Sequence, residues 1–158
     1  KITVRDAFRR HAGWDPIENF DADRFDFDMA VKVEPSLPKD RPCILLDYPS
    51  QAASLARLCE RDERVAERWE AYIGGIELCN AYGELTDAAE QRRRFEAARE
   101  EKISLGETPM PIDEEFLASL ASMPPTGGAA FGIDRFAMVL LDLNDISAAR
   151  SFCEQRSE

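Results

Sequence analysis

Histidine is almost absent from this sequence, and its cysteines are widely spaced. His11 is the single histidine among 158 residues, and Cys43, Cys59, Cys79 and Cys153 form no C-x-x-C pair. A zinc site needs clustered Cys and His ligands, and Ser-His-Asp or Cys-His catalysis needs a histidine beside the nucleophile. The sequence therefore argues against these sites and favours four reduced, mostly buried thiols.

Long apolar runs are also missing. No stretch approaches the roughly 20 apolar residues of a membrane span, and the start of the chain lacks the pattern of a secretory leader. The net charge of −11 would repel a phosphate backbone, so this chain is a poor platform for nucleic acid. We expect a cytoplasmic protein without membrane contacts, and 158 residues suffice for about one domain.

Capping residues predict three helices. Thr3 begins the first helix and Gly13 ends it. A long second helix begins at Thr86 or Asp87, and Asp113 caps a third.

Apolar patterns predict further elements at both ends of the chain. Residues 43–49, CILLDYP, and 126–132, TGGAAFG, are typical of buried strands, whereas residues 19–42 predict a short helix and a loop. In FGIDRFAMVLL, residues 131–141, the apolar side chains have the i, i+3, i+4 spacing of a buried helix face: Phe136, Val139 and Leu140. Asp134 and Arg135 are out of place at the start of such a helix.

Residues 63–85 fit two local structures equally well. A helical stripe runs from Val65 to Ile73, but alternating apolar and polar residues around Gly74-Gly75 are typical of a tight β-hairpin. In a hairpin Tyr72 would face Glu77, and Ala71 would face Leu78.

The hairpin would also make Glu70 and Glu77 a diagonal pair roughly 7 Å apart on one face of the sheet. Two such carboxylates suit a divalent cation that bridges phosphates, because Mg²⁺ takes few protein ligands. The alternative is a solvated polar face, which the spacing alone favours.

A second polar group follows on the next strand. Asn80, Tyr82 and Glu84 have the same parity and would share a face. An amide, an aromatic ring and one negative charge suit a cation with a hydrocarbon stem, although the pattern alone favours an ordinary amphipathic strand. Strict alternation of side chains along the strand puts Glu77 on the face opposite Asn80 and Glu84. A cavity lined by all of them would therefore require a β-bulge between Glu77 and Ala81.

The arginines allow two interpretations. Arg135 at the start of a buried helix needs a partner, either Asp134 or another acid, or else the flat ring of a base. The arginines of QRRRF, residues 91–95, either form a solvated basic face or pair with Glu90 and Glu96.

Two segments together resemble a known family. GIELCNAYGELTDAAEQRRRF resembles the signature of lysine-activating class II aminoacyl-tRNA synthetases, and GGAAFGIDRFAM resembles their motif 3. The resemblance implies an α+β fold with an antiparallel sheet flanked by helices, in one partial catalytic domain over residues 1–158. It also implies that residues 64–73 and 76–84 are strands.

PSQAASLA and Ala130 resemble the branch of this family that lysylates translation elongation factor P, since the tRNA ligases usually carry glycine at the position of Ala130. An ordinary lysyl-tRNA synthetase that acts on tRNA-Lys and a non-catalytic lysine- or nucleotide-binding module stay open as alternatives.

The resemblance implies adenylation of lysine or β-lysine by ATP and Mg²⁺, with transfer to elongation factor P. The implied amino-acid-binding residues are Asn80, Tyr82, Glu84 and Ala130. The implied ATP-binding residues are Glu70, Glu77, Gly128, Gly132 and Arg135, of which Glu70 and Glu77 hold the metal and Arg135 is catalytic and lies against the adenine.

Motifs 1 and 2 of the family are missing from this sequence, which begins at Lys1 rather than Met. We therefore expect a truncated or naturally short chain with weak or no adenylation activity. Sheet edges that the missing part normally covers would be exposed, which favours self-association or a homodimer.

Overall fold

A mixed β-sheet organises residues 1–150, the part of the chain that the computed structural model describes. Its strands are β1 (Ile2–Thr3), β2 (Cys43–Pro49), β3 (Leu58–Cys59), β4 (Asp62–Ile73), β5 (Ile76–Gly83) and β6 (Gly127–Phe131). The order across the sheet is β1-β2-β4-β5-β6, with β3 paired to β4 beside this path. β1 is parallel to β2, and the other pairs are antiparallel. The predicted α+β class is confirmed.

Five α-helices accompany the sheet in the described part of the chain. They are α1 (Val4–His11), α2 (Ala22–Asp28), α3 (Ala88–Ser104), α4 (Glu114–Leu120) and α5 (Ile133–Leu140). The predicted caps are confirmed, because Thr3, Asp87 and Asp113 each accept a hydrogen bond from a first-turn backbone N–H. The expected loop after α2 is instead a π turn (Met29–Val33) followed by a 3₁₀ turn (Glu34–Ser36).

The ambiguous segment is a β-hairpin. Gly74 and Gly75 have φ angles of 64° and 83°, which the type I′ turn of a two-residue hairpin requires and glycine tolerates. The helical stripe from Val65 to Ile73 is therefore misleading, and the antiparallel pair of strands implied by the resemblance is confirmed.

The register of the hairpin changes at one residue. Tyr72 pairs with Glu77, as predicted, but Ala71 pairs with Cys79 and not with Leu78. Leu78 is the additional residue of a β-bulge, which explains why the predicted Ala71–Leu78 pair is wrong. The bulge itself is confirmed, between Glu77 and Ala81 as expected.

The main hydrophobic core lies between β2 and the helices α1 and α2. Its buried members are Val4, Ala7, Phe8, Phe25, Met29, Val33, Leu37, Cys43, Leu45, Tyr48 and Tyr72. Phe8 stacks on Phe25 with ring centroids 4.9 Å apart, and the ring of Trp14 meets Phe8 edge-on. The core thus holds β2 and one end of β4 in place. The polar side chains of β4 and β5 lie next to this packed part of the sheet.

The strand β6 and the helix α5 are exposed, so the prediction of a buried strand and a buried helix face is wrong. Phe131 is 47% exposed, Ile133 67% and Leu140 66%, and α5 contains no buried residue. The reason is topological. β6 pairs with β5 alone, at the edge of the sheet, and α5 contacts β5 and the short turn Ile146–Ala149.

The cysteines within the described residues are free thiols. Cys43 and Cys79 are buried and Cys59 is partly buried, and burial raises the pKa of the Cys79 thiol. Cys153 lies outside the described residues. Within residues 1–150, no helix combines the length and apolar character needed to cross a membrane.

Asp28 joins α2 to the segment after α1. The side chain is 2% exposed and forms an ion pair with Lys32 Nζ at 2.6 Å. It also accepts a hydrogen bond from Trp14 Nε1 at 2.8 Å. The hydrogen bond from Lys32, and then that from Trp14, outweigh burial and lower the pKa of Asp28.

We predict that Asp28→Asn lowers the thermal unfolding midpoint at pH 7. A carboxylate whose pKa is depressed by folding stabilises the fold above its unfolded pKa of about 3.9, and this contribution disappears as the pH falls through the folded pKa. Circular dichroism melts from pH 7 to pH 3 should therefore show the two proteins converging. Asp23→Asn, at an exposed position of the same helix, is the control. Equal midpoints at pH 7 would contradict the assigned role.

Candidate active site

The bulge at Leu78 brings the two predicted polar groups to one face of the sheet. Across β4 and β5, Glu70 pairs with Asn80 and Tyr72 with Glu77. Because cross-strand partners point to the same side, Glu77 lies on the face of Asn80. Strict alternation along β5 would have put these two residues on opposite faces, and the bulge removes this conflict.

The same face continues onto β6. Ala130 pairs with Asn80, and Gly128 pairs with Tyr82. The carboxylate of Glu84 lies over Gly128 so closely that a Cβ at residue 128 would overlap Glu84 Oε1. The structure therefore places the implied amino-acid-binding residues Asn80, Tyr82, Glu84 and Ala130 on one face, and Gly128, which the resemblance implied in ATP binding, lies beside Glu84.

The start of α5 is bonded to the bulged end of β5. The carbonyl of Leu78 accepts a hydrogen bond from Gly132 N–H at 2.8 Å. One turn later, Arg135 Nη1 donates to the Glu77 carbonyl at 2.9 Å and to Glu77 Oε2 at 3.0 Å. The first turn of α5 is thus bonded to the distorted end of β5, which is the reason that a helix start far along the chain lies beside Glu77.

Arg135 has an acidic partner, but it is not Asp134. Its side chain is 48% exposed and pairs with Glu77, while Asp134 pairs with Arg150 at 2.8 Å. Because α5 is exposed, Arg135 is not a buried charge, and its place at the helix start carries no large desolvation cost. A guanidinium in this position can also meet the face of a planar ring.

An open cavity of about 580 Å³ lies between β5, β6 and α5. The predicted site residues that line it are Glu77, Asn80, Ala130, Gly132 and Arg135. Within the described residues, Asn80 Oδ1 is buried and has no hydrogen-bond partner, which leaves it available for a ligand. Tyr82, Glu84 and Gly128 lie further along the same strands and do not line this cavity.

Glu70 lines a second cavity, of about 430 Å³, together with Glu34, Tyr48 and Arg68. Since Glu70 and Asn80 are cross-strand partners, the two cavities have lining residues on the same face of the sheet. Each cavity has a size that small-molecule ligands occupy.

The carboxylate of Glu70 is held by two donors. Glu70 is 7% exposed, Arg68 Nη2 donates to its Oε1 at 2.8 Å, and the Tyr72 hydroxyl donates to its Oε2 at 2.6 Å. Arg68 also donates to the Ala52 carbonyl and stacks over the ring of Tyr48, 4.4 Å from its centroid. Glu70 is therefore ionisable, buried and fixed in orientation.

Burial determines the protonation of the neighbouring groups. It raises the pKa of Tyr48 and of Tyr72, and the charge of Glu70 raises both further, so both phenols stay neutral. Burial and the charges of Glu70 and Glu77 raise the pKa of Glu34, against the hydrogen bond from Tyr72.

Sequence reasoning assigned no role to Arg68, Tyr72 or Glu34. Arg68 and Tyr72 are two residues before and after Glu70 on β4, so all three side chains lie on one face of the strand. This spacing could have identified them from the sequence. Glu34 carried no such signal, because it lies in an irregular turn 36 residues before Glu70 in the chain.

The residues suit a phosphate-bridging cation more than a metal centre made of protein alone. Among residues 1–150, no group of three or more His, Cys, Asp or Glu side chains is arranged to hold a metal ion. Glu70 and Glu77 are diagonal neighbours on one face, and two carboxylates are the usual protein contribution to a Mg²⁺ ion that also binds phosphates. This fit supports Mg²⁺ with a nucleotide.

The charged residues of α3 have structural partners. Arg92 pairs with Glu114, and Arg93 and Arg94 both pair with Glu90. Asp87 caps the helix. The prediction that arginines of QRRRF pair with Glu90 is confirmed for Arg93 and Arg94.

Comparison with known proteins gives consistent matches. The profile of the family described as "tRNA synthetases class II (D, K and N)" matches residues 1–156. An "Elongation factor P--(R)-beta-lysine ligase" of Sodalis glossinidius is 35% identical over 99% of this chain and 55% of its own length. The protein of that name in Proteus mirabilis is 44% identical over 76% of this chain and 37% of its own.

A "Lysine--tRNA ligase" of Anaeromyxobacter sp. is 46% identical over 69% of this chain and 21% of its own length. The chain thus spans about half the length of the curated relatives it matches, or less.

The close approach of Glu84 to Gly128 generates a test of this pocket. We predict that Gly128→Ala displaces the Glu84 carboxylate and weakens the binding of a probe ligand that carries an ammonium group about tenfold, or about 1.4 kcal/mol, as measured by calorimetry. Gly127→Ala is the matched control, because a Cβ at residue 127 would meet the Tyr82 carbonyl at an ordinary 3.6 Å. Equal affinities in the two variants would show that Glu84 does not contact the ligand.

Proposed function

Because the chain belongs to the class II tRNA synthetase family (D, K and N), we propose that it forms the lysine-activating part of a ligase that modifies elongation factor P. The proposed reaction joins lysine or β-lysine to ATP as an adenylate and then transfers the aminoacyl group to a lysine of the factor. The bulge at Leu78 carries this proposal, because it unites Glu77, Asn80 and Glu84 on one face of the sheet.

The nucleotide would lie at the bulged end of β5. Glu70 and Glu77 would hold Mg²⁺, which neutralises the charge of the phosphates. Arg135 would leave Glu77 and lie against the adenine, and Gly132, which carries no side chain, would allow the nucleotide to approach the backbone.

The amino acid would lie further along β5 and β6. Glu84 would face the side-chain ammonium, the Tyr82 ring would pack on the hydrocarbon stem, and Asn80 would bind a polar group of the amino acid. The methyl group of Ala130 would form the floor of the pocket beside Asn80. In this arrangement the negative charge of Glu84 faces the positive charge of the side-chain ammonium.

The chemistry follows from alignment. The carboxylate oxygen of the amino acid attacks the α-phosphorus of ATP, a new O–P bond forms, and pyrophosphate leaves with the electrons of the broken P–O bond. The neutral acceptor amine of elongation factor P then attacks the carbonyl carbon and forms a C–N bond, the C–O bond to the phosphate breaks, AMP leaves with its electrons, and the amine nitrogen loses one proton to solvent. The protein contributes orientation and charge complementarity in both steps.

We further propose that residues 1–158 act as the C-terminal part of a synthetase-like catalytic domain in the cytoplasm. The sequence contains no counterpart of the motif 2 arginine that the family uses on the α-phosphate. Adenylation by this chain alone is therefore expected to be weak or absent, whereas binding of lysine should persist.

Self-association, or a homodimer, is part of the proposal. It is supported by the exposed edge strand β6, which ends at the exposed Phe131, and by the exposed apolar residues of α5, Ile133 and Leu140. An unpaired edge beside apolar surface favours pairing with another chain.

One alternative acceptor has direct support. The 46% identity to a lysine–tRNA ligase favours an enzyme that acts on tRNA-Lys. The net charge of −11 argues against it. Acceptor assays with elongation factor P and with tRNA-Lys distinguish the two.

A non-catalytic lysine- or nucleotide-binding module is the second alternative. Calorimetry with lysine and with a non-hydrolysable lysyl-adenylate mimic, combined with pyrophosphate exchange, separates a binding module from an enzyme. Binding without exchange would support the module or a chain that needs its missing motifs, and absence of binding would reject both the enzyme and the module.

We predict that Glu84→Gln weakens lysine binding at least about tenfold, because it removes the charge opposite the ammonium. The affinity for ATP, measured in the same calorimeter, should be unchanged. Glu63→Gln, at an exposed position of β4, is the control. An equal loss of affinity for lysine and ATP would rule out a specific role for Glu84.

We also predict that Arg135→Ala weakens ATP binding about tenfold, because the adenine loses its cationic partner, and leaves lysine affinity nearly unchanged. Thermal melts serve as the control here. A large fall in the unfolding midpoint would instead assign Arg135 a structural role through its hydrogen bonds to Glu77.

A further inference from the structure

We propose that Glu34 is a positioning residue that acts through the hydroxyl of Tyr72 to orient Glu70 for binding the cation and the phosphates. This role deepens the proposed function and rests on it. Glu34 lies in the 3₁₀ turn Glu34–Ser36.

The geometry begins at the hydroxyl of Tyr72. Tyr72 OH lies 2.6 Å from Glu70 Oε2 and 3.3 Å from Glu34 Oε1. The ring is fully buried, with 2% exposure, so the hydroxyl is fixed at the end of a rigid side chain. Two carboxylates, which are 36 residues apart in the sequence, therefore share one phenol.

A single hydroxyl carries one proton, so the two acceptors compete for it. Without Glu34, the Tyr72 hydroxyl would donate its proton to Glu70 alone, and the hydrogen bond to Glu70 Oε2 would no longer be drawn towards Glu34. The direction in which the Glu70 carboxylate is held on that side therefore depends on Glu34.

Arg68 fixes the other oxygen of Glu70. Its Nη2 donates to Glu70 Oε1 at 2.8 Å, while Nη1 is anchored on the Ala52 carbonyl. With one donor on each oxygen, the carboxylate has little freedom to rotate, and its remaining lone pairs have fixed directions. Bonding partners of this kind commonly determine how well a ligating carboxylate binds a metal.

Glu34 itself is held by its neighbours rather than by its own burial. Val33 is 0% exposed and Leu37 is 3% exposed, and both belong to the main core. The turn is therefore anchored on each side of Glu34, whose half-buried side chain is directed at Tyr72 and lines the second cavity beside Glu70. Substitution of Glu34 should leave the fold intact.

The test measures the affinity of this chain for ATP over a series of Mg²⁺ concentrations. Glu34→Ala and Tyr72→Phe should each raise the Mg²⁺ concentration that gives half-maximal ATP binding about tenfold. Glu34→Gln keeps an acceptor oxygen opposite Tyr72 and should remain close to the unaltered chain. Lysine affinity in the absence of ATP should not change in any of them, and Glu63→Ala is the control for the loss of one exposed acid.

The outcomes are distinguishable. If Glu34→Ala changes only the thermal midpoint, or if Glu34→Ala and Glu34→Gln have equal effects on the Mg²⁺ dependence, Glu34 is not a positioning residue. If the unaltered chain binds lysine but shows no Mg²⁺-dependent ATP binding, the nucleotide part of the proposed function fails and the role of Glu34 fails with it. Should Tyr72→Phe unfold, the comparison between the two Glu34 variants still decides.

Discussion

The candidate site depends on one irregularity of the backbone, the additional residue Leu78 in β5. Without it, Glu77 would point to the opposite side of the sheet from Asn80 and Glu84. The start of α5 lies beside the bulge because β6 keeps its pairing with β5 as far as the hydrogen bond from Gly132 N–H to the Leu78 carbonyl. The bulge therefore sets the side of the sheet on which the acids meet, and the register of β5 and β6 sets where α5 begins.

The rest of the sheet is divided between a packed end and an open end. Side chains of β2, α1 and α2 form the core, whereas β6 and α5 remain exposed. The polar groups lie where these two parts meet. Glu70 can be buried and charged there because Arg68 and Tyr72 satisfy its oxygens, which offsets the cost of removing it from water. A sheet that is packed at one end and open at the other is suited to holding a ligand.

Sequence reasoning succeeded where the determinants were local. The caps Thr3, Asp87 and Asp113 were read correctly, since a capping side chain acts within its own first turn. Successive side chains in a strand point to opposite faces, so strict alternation would separate Glu77 from Asn80 and Glu84. Their expected common cavity therefore predicted the bulge. The choice between helix and hairpin came from the family resemblance, since the local pattern supported both.

The sequence by itself determined the starts of α1, α3 and α4 and the common face of Asn80 and Glu84, because neighbouring residues fix these through backbone conformation. Only the tertiary structure decided that α5 is exposed and that Glu34 reaches Tyr72. Burial of a helix face depends on which other elements cover it, and contacts between residues distant in the chain depend on the packing of the whole core, neither of which a local pattern encodes.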